Sequence, residues 1–246
     1  MKMIPTLTSK LLTEEPCNMK TLEQKNILTP ESYIRMKAHT SETQATITPE
    51  KALQFLKEGN ERFVNNLKVN RNLLEQVNDT REGQWPFAVV LSCIDSRTSA
   101  ELIFDQGLGD IFSIRIAGSF VNQDILGSME FACKVAGSKL IVVLGHTHCG
   151  ALKGGLDAEK IEDLGMDNLN HLIYHFDPII KDIIKDGEER TSKNNDLLER
   201  LNISNVKKSI EDIRHESSTL RNLEKEGKIK IVGANYDVQT GVVSWL

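Results

Sequence analysis

The chain has 246 residues, of which 39% are hydrophobic and 26% are charged, with 16 glycines and 6 prolines. These proportions exclude collagen-like, mucin-like and globally disordered chains, and they favour one large folded domain with an appendage. The net charge of −5 excludes the basic surface of a protein that binds nucleic acid or an anionic membrane. No apolar run is long enough for a membrane helix, and the N-terminus lacks a secretory h-region. We therefore expect a cytoplasmic protein without a membrane span.

The domain organisation follows from the first fifty residues. Residues 1–46 are polar, have no sustained apolar period and are interrupted by prolines, which predicts an N-terminal arm. Thr48, Pro49 and Glu50 then supply an N-cap, a first-turn proline and an early acidic residue. These signals predict a helix to about residue 65, so we expect the folded domain to cover residues 47–246.

Four segments of this domain are continuous β-branched apolar runs: 87–92, 111–117, 139–144 and 228–234. Such runs are typical of strands buried on both faces of a parallel sheet. Segments with a helical period lie between or after them: 99–106, 122–136, 168–185 and 196–226. The alternation of strands and helices predicts an α/β fold in which helices flank a mainly parallel central β-sheet, with an N-terminal arm.

Two polar clusters follow two of the predicted strands. Cys93, Asp95 and Arg97 come just after the first strand, and His146 and Cys149 come after the third. Ligands bind at the carboxyl edge of an open parallel sheet, so the two clusters can meet there. Cys93 and Asp95 should point the same way from an extended chain. His146 and Cys149 should share one face of a helix if that helix begins near them.

These side chains form a ligand set that suits zinc. Thiolate and imidazole ligands exclude magnesium and calcium, and a tetrahedral site would leave its fourth position to Asp95 or to water. A helix dipole would favour the thiolate form of Cys149. If Arg97 holds the Asp95 carboxylate in a bidentate pair, water takes the fourth position, and zinc lowers its pKa from 15.7 to about 7. Asp95 could then orient the resulting hydroxide.

Two other interpretations of the same residues remain open. Cys93 and Cys149 could be buried core cysteines, although two clusters at two strand ends are hard to explain in that way. Alternatively, the zinc could be structural, in a binding module without catalysis. Structural sites usually gather C-x₂-C pairs and leave no adjacent carboxylate and arginine unused, which favours an enzyme.

The motifs CIDSR and HTHC resemble the paired C-x-D-x-R and H-x-x-C signatures of the β-class carbonic anhydrases. The resemblance covers roughly residues 48–246 and includes KALQFLKEGNERFV, ELIFDQGLGDIFSIRIAG, GHTHCGALKG and KIVGANYD. It implies that Cys93, His146 and Cys149 bind Zn²⁺ and that Asp95 and Arg97 form the catalytic dyad. Asp95 can become the fourth ligand in a resting state of this family. The implied activity is that of a carbonate dehydratase, a zinc lyase that interconverts CO₂ and bicarbonate.

The resemblance also implies features of the substrate pocket. Gln84 matches a glutamine that donates a hydrogen bond to substrate. Val90 replaces the tryptophan of a branch that binds inhibitory bicarbonate, while Arg115 matches the arginine of that bicarbonate site. Family pockets are completed by a second chain, which implies a homodimer or a dimer of dimers. CO₂ is small and uncharged and needs an apolar slot, for which Phe120 and Val121 are the candidates.

Other residues carry weaker signals. His171 and His175 have the spacing of a zincin helix, but Leu172 stands where the glutamate would be, so we interpret them as part of a helix face. Cys133 is predicted to be a core residue. His148 is either a proton shuttle or, as we favour, an exposed bystander.

Two expectations concern the chemistry of the implied site. The nearest alternative enzyme would use the same residues on CS₂ or COS, and the shape of the pocket would decide between them. If Asp95 ligates zinc at low pH, activity should vanish steeply below neutrality. A shallow, single-proton profile would count against that switch.

Overall fold

The computed structural model describes residues 37–246. The first 36 residues, which make up most of the expected N-terminal arm, lie outside this range. The described chain begins with three helices: α1 (Ser41–Ala45), α2 (Pro49–Val64) and α3 (Leu73–Asp79). Thr40, Thr48 and Asn72 cap them, because each side chain accepts a backbone N–H of the first turn.

Five strands form the central sheet: β1 (Ala88–Ser92), β2 (Ile111–Arg115), β3 (Leu140–His146), β4 (Lys230–Tyr236) and β5 (Val243–Trp245). Their order is β2-β1-β3-β4-β5, with parallel pairing from β2 to β4 and antiparallel pairing of β5 with β4. The predicted mainly parallel sheet is confirmed. Every residue of β1 and β3 is buried, as their continuous apolar runs indicate.

Helices connect and cover the strands. Helix α4 (Ala100–Ile103) follows β1, and α5 (Gln123–Glu130) continues into a π-helical turn, Phe131–Val135, before β3. Six helices separate β3 from β4: α6 (Gly150–Leu156), α7 (Ala158–Glu162), α8 (Asp167–Tyr174), α9 (Asp177–Ile183), α10 (Asn195–Glu216) and α11 (Ser218–Lys225). None of these helices, nor α1 to α5, is long and apolar enough to cross a membrane.

Two helices that the sequence predicts as continuous are broken. The segment 168–185 divides into α8 and α9, because Pro178 lies in the first turn of α9 and a proline there starts a new helix. The segment 196–226 divides at Ser217, whose hydroxyl accepts the N–H of Leu220 and caps α11. In both places a local capping signal overrides the longer apolar period.

Helix α4 is also shorter than predicted, because Asp105 adopts a left-handed conformation with φ of +46°. The Asp105 carboxylate is buried and accepts hydrogen bonds from Arg62 and Arg71. It also accepts the backbone N–H of Val69 at 3.2 Å. A buried charge is stable only when it is paired in this way, and these bonds hold Asp105 in place just after the end of α4.

The sheet is covered on both faces, because alternate side chains of a strand point to opposite sides. One face packs against α2 and α4 through a cluster that includes Leu56, Val90, Phe104 and Val142. The other face packs against α5, α10 and α11 through a cluster that includes Val89, Leu126, Val143 and Ile213. The result is a three-layer α/β fold whose carboxyl edge remains available for a site.

Residues 37–46, which the sequence places in the arm, contact the domain. The buried side-chain amide of Gln44 donates to the carbonyls of Pro86 and Ala136, each at 2.8 Å. The ring of His39 contacts the edge of Phe87 at a centroid distance of 5.4 Å. These contacts anchor the described end of the segment beside the start of β1.

Helix α10 lies close to the sheet because two glycines on neighbouring strands face it. A methyl group on Gly145 of β3 would lie 2.7 Å from Cγ2 of Val206, and one on Gly233 of β4 would lie 2.8 Å from Cγ1. Both distances are shorter than normal contacts between carbon atoms. Val206 therefore fills the space that the glycines leave, and the helix approaches the end of β3.

We expect Gly233→Ala to lower the free energy of unfolding by about 1–3 kcal/mol, because its methyl group overpacks against Val206. Val206→Ala should also destabilise the fold, because it leaves a cavity. In the double variant the new methyl group occupies part of that cavity, so the loss should be smaller than the sum of the single losses. Denaturant unfolding of the four proteins measures this coupling, and additive losses would contradict the close approach.

Candidate metal centre and active site

Three predicted ligands meet at the carboxyl edge of the sheet. Cys93 directly follows β1, His146 ends β3, and Cys149 is the N-cap residue of α6. Their ligand atoms lie within 4.8 Å of one another, and all three residues are buried. The parallel pairing of β1 with β3 brings the two distant sequence motifs together.

A turn, rather than a shared helix face, brings His146 to Cys149. The expectation of one helix carrying both residues is wrong, because α6 begins only at Gly150 and His146 still belongs to β3. Between them His148 has φ of +57°, a left-handed conformation that reverses the chain. His148 is exposed, and its ring lies 3.3 Å from the amide nitrogen of Gln239.

Thr147 ties this turn to the end of β4. Its N–H donates to the carbonyl of Tyr236 at 2.9 Å, and its hydroxyl donates to Asp237 at 3.2 Å. The same hydroxyl accepts the N–H of Val238 at 3.1 Å. The N–H of Gln239 also donates to Asp237, and this bond contributes most to the lowered pKa of Asp237. The turn that carries two ligands is therefore held by β4.

The protonation of His146 suits a metal ligand. Its Nδ1 lies 2.9 Å from the Thr147 carbonyl oxygen, which can only accept, so Nδ1 carries a proton and the neutral ring has its lone pair on Nε2. Nε2 is buried and has no hydrogen-bond partner within residues 37–246. The Sγ atoms of Cys93 and Cys149 lie 3.9 Å apart. Two sulfurs bound to one tetrahedral zinc ion at 2.3 Å would lie about 3.8 Å apart, so the residues fit this ion.

The two thiols compete for one negative charge. The hydrogen bond from Cys149, with a smaller contribution from the Gly118 N–H, lowers the pKa of Cys93 to about 4 against the opposing effect of burial. The same contact with Cys93, together with burial, raises the pKa of Cys149. Two buried thiolates at this distance need a compensating cation, which is what a metal ion would supply.

The Asp95 carboxylate and the Arg97 guanidinium form the bidentate pair that their spacing predicts. Nε of Arg97 lies 2.9 Å from Oδ1 of Asp95, and Nη2 lies 2.7 Å from Oδ2. The Arg97 side chain holds the pKa of the Asp95 carboxyl well below its usual range. With the carboxylate turned to Arg97, the candidate ligand group comprises Cys93, His146 and Cys149.

Arg115 positions the backbone between the first ligand and this pair. Its guanidinium donates to the carbonyls of Cys93 at 2.9 Å and of Asp95 at 2.6 Å. The hydroxyl of Thr98 donates to the same two carbonyls at 3.0 and 2.9 Å. Sequence reasoning missed both roles, because contacts with backbone carbonyls leave no pattern of side-chain types.

The side chains of Phe120 and Val121 pack in different apolar clusters, although the two residues are adjacent in sequence. Phe120 packs in the same apolar cluster as Cys93 and Cys149. Val121 packs in the other cluster, beneath α5. His175, which sequence reasoning set aside, stacks on the ring of Phe120 at a centroid distance of 3.9 Å.

Gln84 lies at the opposite edge of the sheet from the ligands of its own chain. It precedes β1, whereas Cys93 follows β1. A strand of this length spans roughly 16 Å at about 3.3 Å per residue. Gln84 is exposed.

The other candidates do not join the site. Cys133, on the π-helical turn that continues α5, is buried in the apolar core, and burial raises its pKa to about 12, which confirms a core residue. His171 is exposed on α8. The candidate metal group found within the described chain includes neither His171 nor His175.

Known proteins share this architecture and these motifs. A family model described as carbonic anhydrase matches residues 88–243. Carbonic anhydrase 2 of Mycobacterium tuberculosis is 34% identical over 194 residues, covering 78% of this chain and 90% of that protein. The solved β-carbonic anhydrase CcaA matches with a TM-score of 0.61 at 25% identity, covering 78% of this chain and 94% of the other. A carbon disulfide hydrolase of Acidithiobacillus thiooxidans is 35% identical over 89 residues, covering 33% of this chain and 41% of that protein.

The family model spans more than half of the chain, and the mycobacterial relative covers 78% of the chain. The sheet order and the matched structure agree with both. The chain therefore belongs to the β-carbonic anhydrase family and is a carbonate dehydratase.

Proposed function

We propose that this chain is a zinc-dependent carbonic anhydrase that reversibly hydrates CO₂ to bicarbonate and a proton. The observation that carries the proposal is the position of Asp95, which Arg97 holds beside the three-residue ligand group rather than within it. These three residues would hold a zinc ion and leave its fourth position open to water. Bound zinc would supply a nucleophile from that water near neutral pH.

Asp95 orients the reacting groups through its fixed charge. Because Arg97 keeps the pKa of Asp95 low, the carboxylate stays ionised and can only accept a hydrogen bond. It therefore favours a reacting oxygen that still carries a proton. The backbone N–H of Arg97 donates a third hydrogen bond to this carboxylate, at 3.0 Å from Oδ1, which keeps the carboxylate plane in place.

The surroundings of the ligands suit an uncharged substrate. Phe120 packs beside the two cysteines, and Ile94, between Cys93 and Asp95, exposes 62% of its surface. CO₂ has weak hydrogen-bonding capacity, so an apolar approach with a few placed polar groups is the appropriate environment. Sequence reasoning missed Ile94, because an isolated apolar residue in a polar motif has no periodic signal.

The first test is stopped-flow CO₂ hydration by the zinc-loaded protein at alkaline pH. We expect fast turnover, and we expect Cys149→Ser to lose both zinc and turnover. Asp95→Asn should retain zinc but lose roughly 100-fold or more in kcat, because it removes the fixed acceptor. Glu216→Gln, an exposed change at the far end of α10, is the matched control and should keep full activity.

Two outcomes would replace the proposal. Turnover of CS₂ without turnover of CO₂ would assign the sulfur substrate to the same residues. A folded protein that holds zinc through four of its own ligands and hydrates neither substrate would be a non-catalytic zinc-containing binding module.

The pH dependence tests the Asp95–Arg97 pair separately. Because the pKa of Asp95 lies far below its usual range, its carboxylate does not titrate between about pH 6 and 9. We expect log kcat/KM to fall by about one per pH unit as the pH decreases, as for the loss of a single proton. A steeper decrease would mean that Asp95 leaves Arg97 and binds the metal at low pH.

We propose further that two copies of the chain form a homodimer. Strand β2 has a neighbour on only one side within the described sheet, and its free edge carries neither lysine nor proline, which commonly protect edges. Phe131 and Val135, on the turn after α5, expose 54% and 71% of their surface. Phe131 contacts Phe112 of β2 at 6.3 Å between centroids. A second copy would cover this apolar edge.

Heterodimers that carry two different tags test whether Gln84 serves the partner's site. In a dimer of Gln84→Ala with Asp95→Asn, one site would combine an intact Asp95 from one chain with an intact Gln84 from the other. We therefore expect about half of the wild-type activity, although each homodimer alone is impaired.

The matched control is a heterodimer of the double variant with the wild-type chain. It carries the same substitutions, but each site would lack one of the two residues, so activity should stay low. The opposite pattern, with an active control and an inactive mixed dimer, would show that Gln84 acts within its own chain.

A further inference from the structure

A loop after β2 contacts the first metal-ligand candidate. The N–H of Gly118 donates to Sγ of Cys93 at 3.4 Å. Gly118 and Ser119 both adopt left-handed conformations, with φ of +85° and +56°. This conformation is common for glycine but rare for serine, so the surrounding structure must hold the loop in place.

The space around Gly118 leaves no room for a side chain. A methyl group there would lie 2.3 Å from Cζ of Phe176, which is fully buried. The loop is therefore enclosed by Phe176 and Cys93. Phe120, two residues later, packs in the same cluster, so the position of this loop affects both the sulfur and the apolar wall.

Helix α10 supplies the bonds that hold the loop. Nδ2 of Asn205 donates to the carbonyl of Gly118 at 2.7 Å, and the hydroxyl of Ser209 donates to the carbonyl of Ser119 at 3.4 Å. Asn205 exposes only 1% of its surface. A carbonyl can only accept, so this contact determines which way the Asn205 amide points.

Gly118 is thus held from both sides. Its carbonyl bonds to Asn205, and its N–H bonds to the sulfur of Cys93. A shift of α10 or loss of the Asn205 donor would release the carbonyl and allow the N–H to turn away from the sulfur.

We propose that Asn205 is a positioning residue for the metal centre, which keeps the Gly118 N–H on the Cys93 sulfur and the following Phe120 beside the ligands. The inference rests on the proposed function, because it assumes that Cys93 binds the metal. A hydrogen bond to a ligating thiolate draws electron density from the sulfur, and such partners of ligands commonly tune metal affinity.

The test compares Asn205→Leu, which removes the donor at similar size, with Ile213→Ala on the same helix. Ile213 is buried against the sheet in the cluster beneath α5, so its loss weakens the fold without removing a bond to the loop. The first measurement is the absorption spectrum of the cobalt-substituted full-length protein. Loss of the N–H bond raises the energy of the sulfur lone pairs, so Asn205→Leu should move the sulfur-to-cobalt band to longer wavelength.

The second measurement is zinc affinity by competition with a chelator. We expect Asn205→Leu to lower the affinity about 10-fold or more, while Ile213→Ala leaves both the affinity and the cobalt band unchanged. Equal effects of the two variants on the cobalt band and on zinc affinity would assign Asn205 a purely structural role and overturn the inference. If Asn205→Leu does not fold, Ser209→Ala replaces it and should shift the cobalt band in the same direction by less.

These readouts separate this inference from the proposed function. A wild-type protein that shows the cobalt band but hydrates no CO₂ would contradict the proposed function, and the comparison of variants would still decide the role of Asn205. A wild-type protein without any sulfur-to-cobalt band would overturn both.

Discussion

The parallel pairing of β1 with β3 is the constraint on which the rest of the structure depends. It aligns the ends of two fully buried strands, so Cys93 and His146 leave the sheet side by side. Neither residue could reach the other through local structure, because their motifs are far apart in sequence. Burial then affects the ionisation of the cysteine thiols. Two thiols 3.9 Å apart in a buried site cannot both ionise without a nearby cation, because burial and mutual repulsion oppose a second negative charge.

Some groups around the site bind a charged side chain, and others bind backbone carbonyls. Arg97 acts on the Asp95 side chain, whereas Arg115 and Thr98 act on carbonyls of the same loop. Thr147 holds the turn before Cys149 in a similar way, because its N–H donates to the carbonyl of Tyr236 at the end of β4. The backbone beside Cys93 is therefore held by β2 as well as by its own loop, and the turn before Cys149 is held by the end of β4. This division explains why a short motif can carry the chemistry while the whole domain is needed to position it.

Short-range patterns predicted most elements, and the errors have physical causes. Continuous apolar runs predicted the strands, because both faces of a central parallel strand must be buried. Helix lengths were less certain, because Pro178 and Ser217 start new helices within one apolar period. The left-handed conformation of Asp105 ended another helix early, and it depends on partners more than thirty residues away. Among the candidate site residues, spacing predicted the Asp95 and Arg97 pair, since both lie on one short segment.

The sequence by itself determined the chemistry of the centre, because the types and spacings of Cys93, Asp95, Arg97, His146 and Cys149 are encoded in two short motifs. It could not determine which other residues surround that centre. Adjacent residues of the loop after β2 pack in different clusters, and a buried side chain of α10 reaches the loop beside the first ligand. Only the tertiary structure decided these contacts, because a hydrogen bond to a backbone carbonyl or a fit beside a ring depends on how distant elements pack.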